Sequence, residues 1–466
     1  MVSEKPITEQ MERLMTRRYA IVGTGSRARM YVGALTSTHA DVGQVVALCD
    51  PNSARLDYYR EQYPLGEVAT YGPAQLDALF DEAQPDVLIV TSPDATHDHY
   101  ITAALARGID VVTEKPMTID APRLHRIVDA VEDSEADLTV TFNYRYSPRN
   151  SAVRELIASG AIGEVTSVHF EWLLDTAHGA DYFRRWHRLK DVSGGLLVHK
   201  STHHFDLVNW WLDDAPSRVY ASGGLKFYGK TNADARGLGE RTPLSRDNDD
   251  ADPFKLDMAA DPLLKGLYLD AEHVDGYQRD LDVFNDSITI EDSLNLVVDY
   301  ARGATMSYTL TAFAPWEGYR VAFNGTQGRI ELDVIERGSL ASANETKKGA
   351  VVDPSAVHDE AGADELRPIG ERLLLQRQWG RAEEIAIPVK EGGHGGGDAM
   401  LLDDVFRGAT DDPLGRAAGY LDGIRSVIVG VAGNLSLAEK RAVETAEFDL
   451  PLTAAKEPAP AGSARS

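Results

Sequence analysis

A chain of 466 residues with 73 acidic and 47 basic side chains carries a formal charge of −26 at pH 7. That balance excludes a partner held by phosphate neutralisation, because a nucleic-acid binder needs a net basic face that releases counterions. At 43% hydrophobic and 26% charged residues, the composition is that of a globular chain with enough apolar side chains for a large core.

A single cysteine, Cys49, excludes an intrachain disulfide and a Cys-rich zinc site and points to a reducing compartment, the cytoplasm. The first seventeen residues mix charges of both signs without a signal-peptide core, and no run of 18 apolar residues occurs, so no membrane association is expected.

From residue 17 to 143 short apolar runs (YAIVGTG, QVVALCD, DVLIVTS, DVVTEK, LTVTFN) alternate with segments of helical period such as SARLDYYREQY and HDHYITAALARG. This predicts an α/β domain, a doubly wound parallel sheet covered by helices. Its first strand runs into GTGSRA, residues 23–28, which opens a helix. In such a turn Gly23 allows the tight bend, Gly25 lets backbone approach a pyrophosphate, and Ala28 packs helix on strand. Ser26 and Arg27 then lie at the helix N-terminus that faces the phosphates. Asp50 ends the next strand, where a carboxylate accepts from a ribose hydroxyl and repels a 2′-phosphate, so NAD is expected over NADP, with Arg55 close enough to soften that preference. TEKP follows at the carboxyl end of the strand DVVTE and puts Glu114 and Lys115 at the ligand edge of the sheet.

After Asn143 the grammar changes. A helix, SAVRELIASG, leads into consecutive β-rich segments without intervening helices, which predicts an α+β domain over 144–450 with a large, mainly antiparallel open sheet. Two aperiodic stretches, about 230–290 and 338–382, read as excursions near the site or its rim, and residues 451–466 as a disordered tail. Within the second domain YFRRWHRLK concentrates Arg184, Arg185, Arg188 and Lys190 around Trp186 and His187. Such a patch suits a sugar carrying a carboxylate, sulfonate or phosphate, or pairs with the chain's own acids. SGGLLVHKSTHHFDLVNWWL then places His199, His203 and Asp206 at spacings of four and three, one face if helical, suited to moving a hydroxyl proton. No zinc motif accompanies them, and no metal is expected. HGGGD, residues 394–398, reads as a loop ending in an Asp398 N-cap, or as one closing over a sugar with His394 in the site. The acidic run DNDDAD, residues 247–252, lacks the glycine and terminal Glu of a calcium loop and reads as solvated.

GTGSRA, Asp50, TSPDATH, TEKP and the Gly-Gly stretch ending in His203 and Asp206 together resemble the glucose–fructose oxidoreductase / inositol dehydrogenase (Gfo/Idh/MocA) family of NAD(P)-dependent sugar enzymes, over most of residues 17–335. The resemblance implies an NAD-binding Rossmann domain, a small-molecule sugar or glycoside as substrate, and a sheet that mediates a homo-oligomer, dimer or tetramer. It makes Lys115 the lysine that orients nicotinamide and substrate, and His203 the catalytic histidine. Ser92, Pro93, Asp94 and His97 match the loop beside the cofactor, and Asn143, Tyr144 and Arg145 the segment entering the second domain near the nicotinamide. The family has an Asp four residues before the histidine; here His199 stands there, followed by Lys200, so a His–His relay is expected, with Asp206 as the other support. His204 is expected to point elsewhere.

The chemistry expected is transfer of a hydride from a pyranose carbon, carbon 3, to NAD, possible on an anionic sugar. The His-Gly-Gly segment is similar to one in NAD-dependent glycosidases of the same superfamily, which gives a redox-neutral alternative, for example on a sulfoquinovoside. A dinucleotide-binding metabolite sensor without turnover is the reading from a different class.

Overall fold

The computed structural model describes residues 16–340, 364–388, 396–408 and 412–452. Six parallel strands, β1 (Arg17–Val22), β2 (Gly43–Cys49), β3 (Ala69–Tyr71), β4 (Val87–Val90), β5 (Asp110–Thr113) and β6 (Leu138–Val140), form the first sheet in the order β3-β2-β1-β4-β5-β6. Their continuous apolar runs are buried because helices cover both faces. These helices are α1 (Ala28–Leu35), α2 (Ser53–Gln62), α3 (His97–Leu105) and α4 (Ala121–Glu132). Asn52 caps α2, its side chain accepting from the backbone N–H of Ala54 and Arg55. The strand order reverses between β1 and β4, which opens a crevice at the carboxyl edge between the loops that leave those two strands.

Helix α5 (Pro148–Ala158) leads into the second sheet of nine strands. These are β7 (Val165–Asp175), β8 (Pro216–Gly224), β9 (Ser293–Tyr300), β10 (Thr305–Ala314), β11 (Glu317–Gly325), β12 (Gly328–Arg337), β13 (Gly370–Arg377), β14 (Glu383–Ile385) and β15 (Val443–Glu444). All neighbours pair antiparallel except β7 and β10, which run parallel. Alternation along β10 buries Met306, Tyr308, Leu310 and Ala312 and turns the intervening residues outward. Helices α6 (His178–Arg184), α7 (Thr202–Leu212), α8 (Gly397–Arg407) and α9 (Tyr420–Glu439) complete the second half.

Helix α9 joins the two cores: Ile424 and Val427 pack in the cluster under the parallel sheet, Val429 and Ala432 in the one under the second sheet. It is the one described helix long and apolar enough to cross a membrane, and about half of that length is buried inside the protein. The second aperiodic stretch holds a strand that its composition did not announce: β13 extends the sheet by pairing with β12, while residues 341–363 lie outside the described residues. Of the expected tail, residues 451–466, the first two are ordered, with Arg425 donating to Leu452 O at 2.7 Å, and residues 453–466 lie outside the described residues.

Candidate active site

A cavity of about 500 Å3 opens at the crevice of the first sheet and is walled on its other side by α6, α7 and the turn between them. Gly23 has φ +86°, and a Cβ there would meet the Ser92 backbone N at 2.5 Å, so the first turn and the loop after β4 approach this closely only with glycine. Gly25, Ser26 and Arg27 line the cavity, while Ala28 is buried at the first position of α1. Asp50 accepts from Thr24 N at 2.7 Å and Asn52 N at 2.8 Å, which fixes its carboxylate beside the loop. A tight glycine turn, a second glycine at the cavity edge and an acid just beyond the second strand are the features that a dinucleotide site of this fold calls for. Gly23, Ala28, Asp50 and Pro93 shape the cavity without lining it.

Arg55, the residue that could have favoured a 2′-phosphate, is committed to Asp275 at 3.1 Å and lies 3.6 Å from Asp50. Titration is therefore expected to give NAD at least tenfold tighter binding than NADP, a difference of about 1.4 kcal/mol. Equal or reversed affinities contradict this placement of Asp50 and Arg55.

The loop after β4 is pinned by His97, whose ring nitrogens lie 2.8 Å from Pro116 O and 2.8 Å from Ser92 O. Glu114 accepts from Tyr31 Oη at 2.7 Å and from Arg27 Nε at 2.5 Å, which makes it a brace between the two loops. Lys115 reaches across the cavity and donates from Nζ to His199 O at 3.1 Å. Burial pulls its pKa down to about 8, against the opposing pull of Asp94 and Glu114.

The expected His–His relay is replaced by a different pair. His199 Nδ1 lies 2.6 Å from Asp94 Oδ2, a carboxylate delivered by the first domain, so an acid does partner this position, from across the cavity. Burial, then the charges of Lys115, Arg185 and Lys200, push the His199 pKa well below the usual imidazole range. Burial likewise raises the Asp94 carboxyl well above the usual carboxylate range, so the pair shares its proton across the Nδ1–Oδ2 contact. His203 also lines the cavity, its ring stacked on Tyr144 at 4.2 Å and 8°. Lys200 donates to Tyr144 Oη at 3.1 Å and sits 4.9 Å from the centre of the Trp172 ring.

The profile of an oxidoreductase family's NAD-binding Rossmann fold matches residues 17–142, and that of the same family's C-terminal alpha/beta domain matches residues 154–445. The chain belongs to the Gfo/Idh/MocA oxidoreductase family. YteT of Bacillus subtilis (strain 168), an oxidoreductase by description, is 36% identical over 440 residues, covering 91% of this chain and 97% of YteT. Inositol 2-dehydrogenase of Rhizobium meliloti (strain 1021) is 31% identical over 211 residues, 45% of this chain and 59% of that protein. Among solved structures, levoglucosan dehydrogenase in complex with NADH and L-sorbose superposes with a TM-score of 0.61 at 15% identity, covering 92% and 99% of the two chains, a likeness of fold. The chain is thus an NAD(P)-dependent oxidoreductase of a sugar dehydrogenase family, with an NAD-binding Rossmann domain.

Several residues that the sequence nominated in this oxidoreductase have other work. Asp206 does not support a histidine: its carboxylate accepts from Arg145 Nε at 2.8 Å and Nη2 at 2.5 Å, and Arg145 also contacts Asp422 at 3.0 Å. Both Asp206 and Arg145 are buried away from the cavity. The cause is a break in the helix: Leu196–His199 form a separate turn, and α7 begins only at Thr202, so the three-residue face does not form. The basic patch also divides. Arg185, Trp186 and His187 line the cavity, with Arg185 paired to Asp181 at 2.7 Å. Arg184 is buried and donates to Phe254 O at 3.0 Å, Arg188 is buried and donates to Asp282 O at 3.0 Å, and Lys190 pairs with Glu291 at 2.5 Å. His204 packs in the core, stacked on Trp172 at 4.0 Å with Nδ1 2.6 Å from Tyr308 Oη. Asn143 donates to Asp398 Oδ1 at 2.7 Å, and Asp398 sits in the first turn of α8 behind the N-cap Gly396, so it is a cavity residue rather than the cap. His394 lies outside the described residues.

Seven cavity residues were not nominated as site residues, Arg29, Met30, Tyr63, Thr91, His178, Tyr182 and Tyr268, and three of them matter most: His178, Tyr182 and Tyr268. His178 Nδ1 is 2.5 Å from Glu317 Oε1 on β11, and its Nε2 is 3.1 Å from Tyr182 Oη. Burial, then Glu336, raises the Glu317 pKa to about 8. The i, i+4 spacing of His178 and Tyr182 just before the basic patch was a readable signal; the Glu317 partner was not.

Proposed function

We propose that this enzyme removes a hydride from a hydroxyl-bearing pyranose carbon, carbon 3, of a sugar or glycoside, with NAD as acceptor. The observation that carries the reading is the convergence of Lys115, the Asp94–His199 pair and His203 on one cavity beside the dinucleotide loop. NAD, when bound, supplies the hydride acceptor, and the chain supplies position and proton transfer.

In this scheme the Lys115 ammonium donates to the substrate hydroxyl oxygen and stabilises the charge that develops there as the proton leaves. The proton goes to the His203 imidazole. His199 is the poorer acceptor, because burial and three neighbouring cations hold its pKa far below the working pH, whereas an efficient base titrates near it. His199 and Asp94 position Lys115 through the His199 carbonyl. The ammonium form of Lys115 exists below its pKa and is lost above it, so kcat/KM is expected to fall as pH rises through about 8. In Lys115→Arg the guanidinium stays charged and this limb moves up. A wild-type profile flat to pH 10 contradicts the assignment.

A second reading is the redox-neutral glycosidase. The specific observation in its favour is the Glu317–His178–Tyr182 chain on the same cavity, a second acid/base device that oxidation alone does not use. Arg185 beside Trp186 supports an anionic sugar in either reading. The single buried Cys49 accords with a reducing cytoplasm, and exposed Tyr220 paired with Val297 on the outer face of the open sheet accords with a homo-oligomer. A panel of free sugars and aryl glycosides, neutral and anionic, assayed for both NADH and released aglycone, tests the function. NADH accumulation supports the dehydrogenase and aglycone release with catalytic NAD the glycosidase; neither product with any member overturns both.

A further inference from the structure

The first long insertion does not stay with the second domain. Leu256, Met258, Leu264 and Leu267 are buried in one apolar cluster with Tyr31 of α1 and Tyr59 of α2. Asn52 donates from Nδ2 to Ala271 O at 2.9 Å. Arg55 on α2 pairs with Asp275 at 3.1 Å and lies 5.8 and 5.5 Å from the ring centres of Tyr268 and Tyr277. Gly266 packs so closely on α2 that a Cβ there would stand 2.8 Å from the Tyr58 ring. At the tip, the Ser26 backbone N–H, part of the phosphate-facing loop, donates to Tyr268 Oη at 2.9 Å.

We propose that residues 256–277 are a cofactor clamp, in which Tyr268 closes over the phosphate-binding loop so that the dinucleotide is retained between turnovers. Tyr268 lines the cavity, and its phenol oxygen, already accepting from Ser26, keeps its own proton to donate to an anionic group there. Release then requires the segment to lift from α1 and α2, and its buried leucines, the Asn52 bond and the Arg55–Asp275 pair make that opening infrequent. The inference rests on the dinucleotide site and not on the identity of the sugar. It deepens the redox-neutral reading, because a retained cofactor has to be restored in place.

The test loads the full chain with NADH and follows loss of its bound fluorescence after mixing with excess NAD. The clamp predicts that Tyr268→Phe and Asp275→Asn each release NADH about tenfold faster than wild type, with thermal unfolding curves unchanged. NADH that dissociates equally fast from all three proteins overturns the clamp and leaves the proposed reaction standing. Slower release from Tyr268→Phe also overturns it, since the phenol would then be competing with the cofactor for Ser26. A wild type that binds no NADH at all removes both the clamp and the proposed function.

Discussion

Replacing Lys115 by methionine is expected to lower kcat by about 1000-fold, within the range that removal of a group stabilising the developing charge or assisting proton transfer produces. Lys115 follows the end of β5 by two residues, at the ligand edge of the sheet where open α/β folds bind their substrates, and its ammonium crosses the cavity to the turn that carries His199. Methionine has a similar length and apolar stem, so the fold around it persists while the charge goes. Dinucleotide affinity, measured by fluorescence titration, is expected to change less than tenfold, because the proposed phosphate-facing loop, Gly25 to Arg27, is left intact. This combination also separates an enzyme from a sensor: a metabolite sensor loses nothing measurable in turnover. A kcat within tenfold of wild type removes Lys115 from the reaction.

The second large effect concerns stability. Asp206→Ala leaves the Arg145 guanidinium, 2% exposed, with only the half-buried Asp422 as a carboxylate partner. Removing one member of a buried pair costs about 3 to 5 kcal/mol, most of it the uncompensated charge left behind. The urea midpoint is therefore expected to fall sharply, while kcat and KM of the protein that remains folded stay near wild type. The opposite pattern, intact stability with kcat down a hundredfold, would return Asp206 to the role of a histidine's support.

These two residues mark what the sequence could and could not reveal. The alternation of apolar runs with helical periods made the parallel sheet readable, because both periods are local. Strand β3, of three residues, carries too little pattern to register, and β13 sits in a stretch whose composition reads as loop. The same locality misled at residues 199–206: spacing alone puts His199, His203 and Asp206 on one face, but the chain interrupts the helix at Lys200 and Ser201. The carboxylate that does serve His199 is 105 residues away in sequence, and no period reports a contact of that kind. Charge patterning made the arginine-rich patch visible as a segment, but which of its cations face the cavity depends on partners such as Phe254 O and Asp282 O that only the folded chain supplies. Tyr268 lies in an aperiodic insertion, where neither spacing nor composition distinguishes a clamp from a surface loop.

Hydride removal from a sugar carbon at the Lys115–His203 cavity leaves an isotopic trace. The full chain is mixed with NAD and with the pyranoside selected by the panel, carrying deuterium at carbon 3, and the nicotinamide is recovered after the first turnover. Hydride removal predicts deuterium on the nicotinamide during that turnover, either kept there or handed back to the sugar, and a slower first turnover than with the unlabelled sugar. Product that forms equally fast from both sugars, with no deuterium on the nicotinamide at any time, contradicts it.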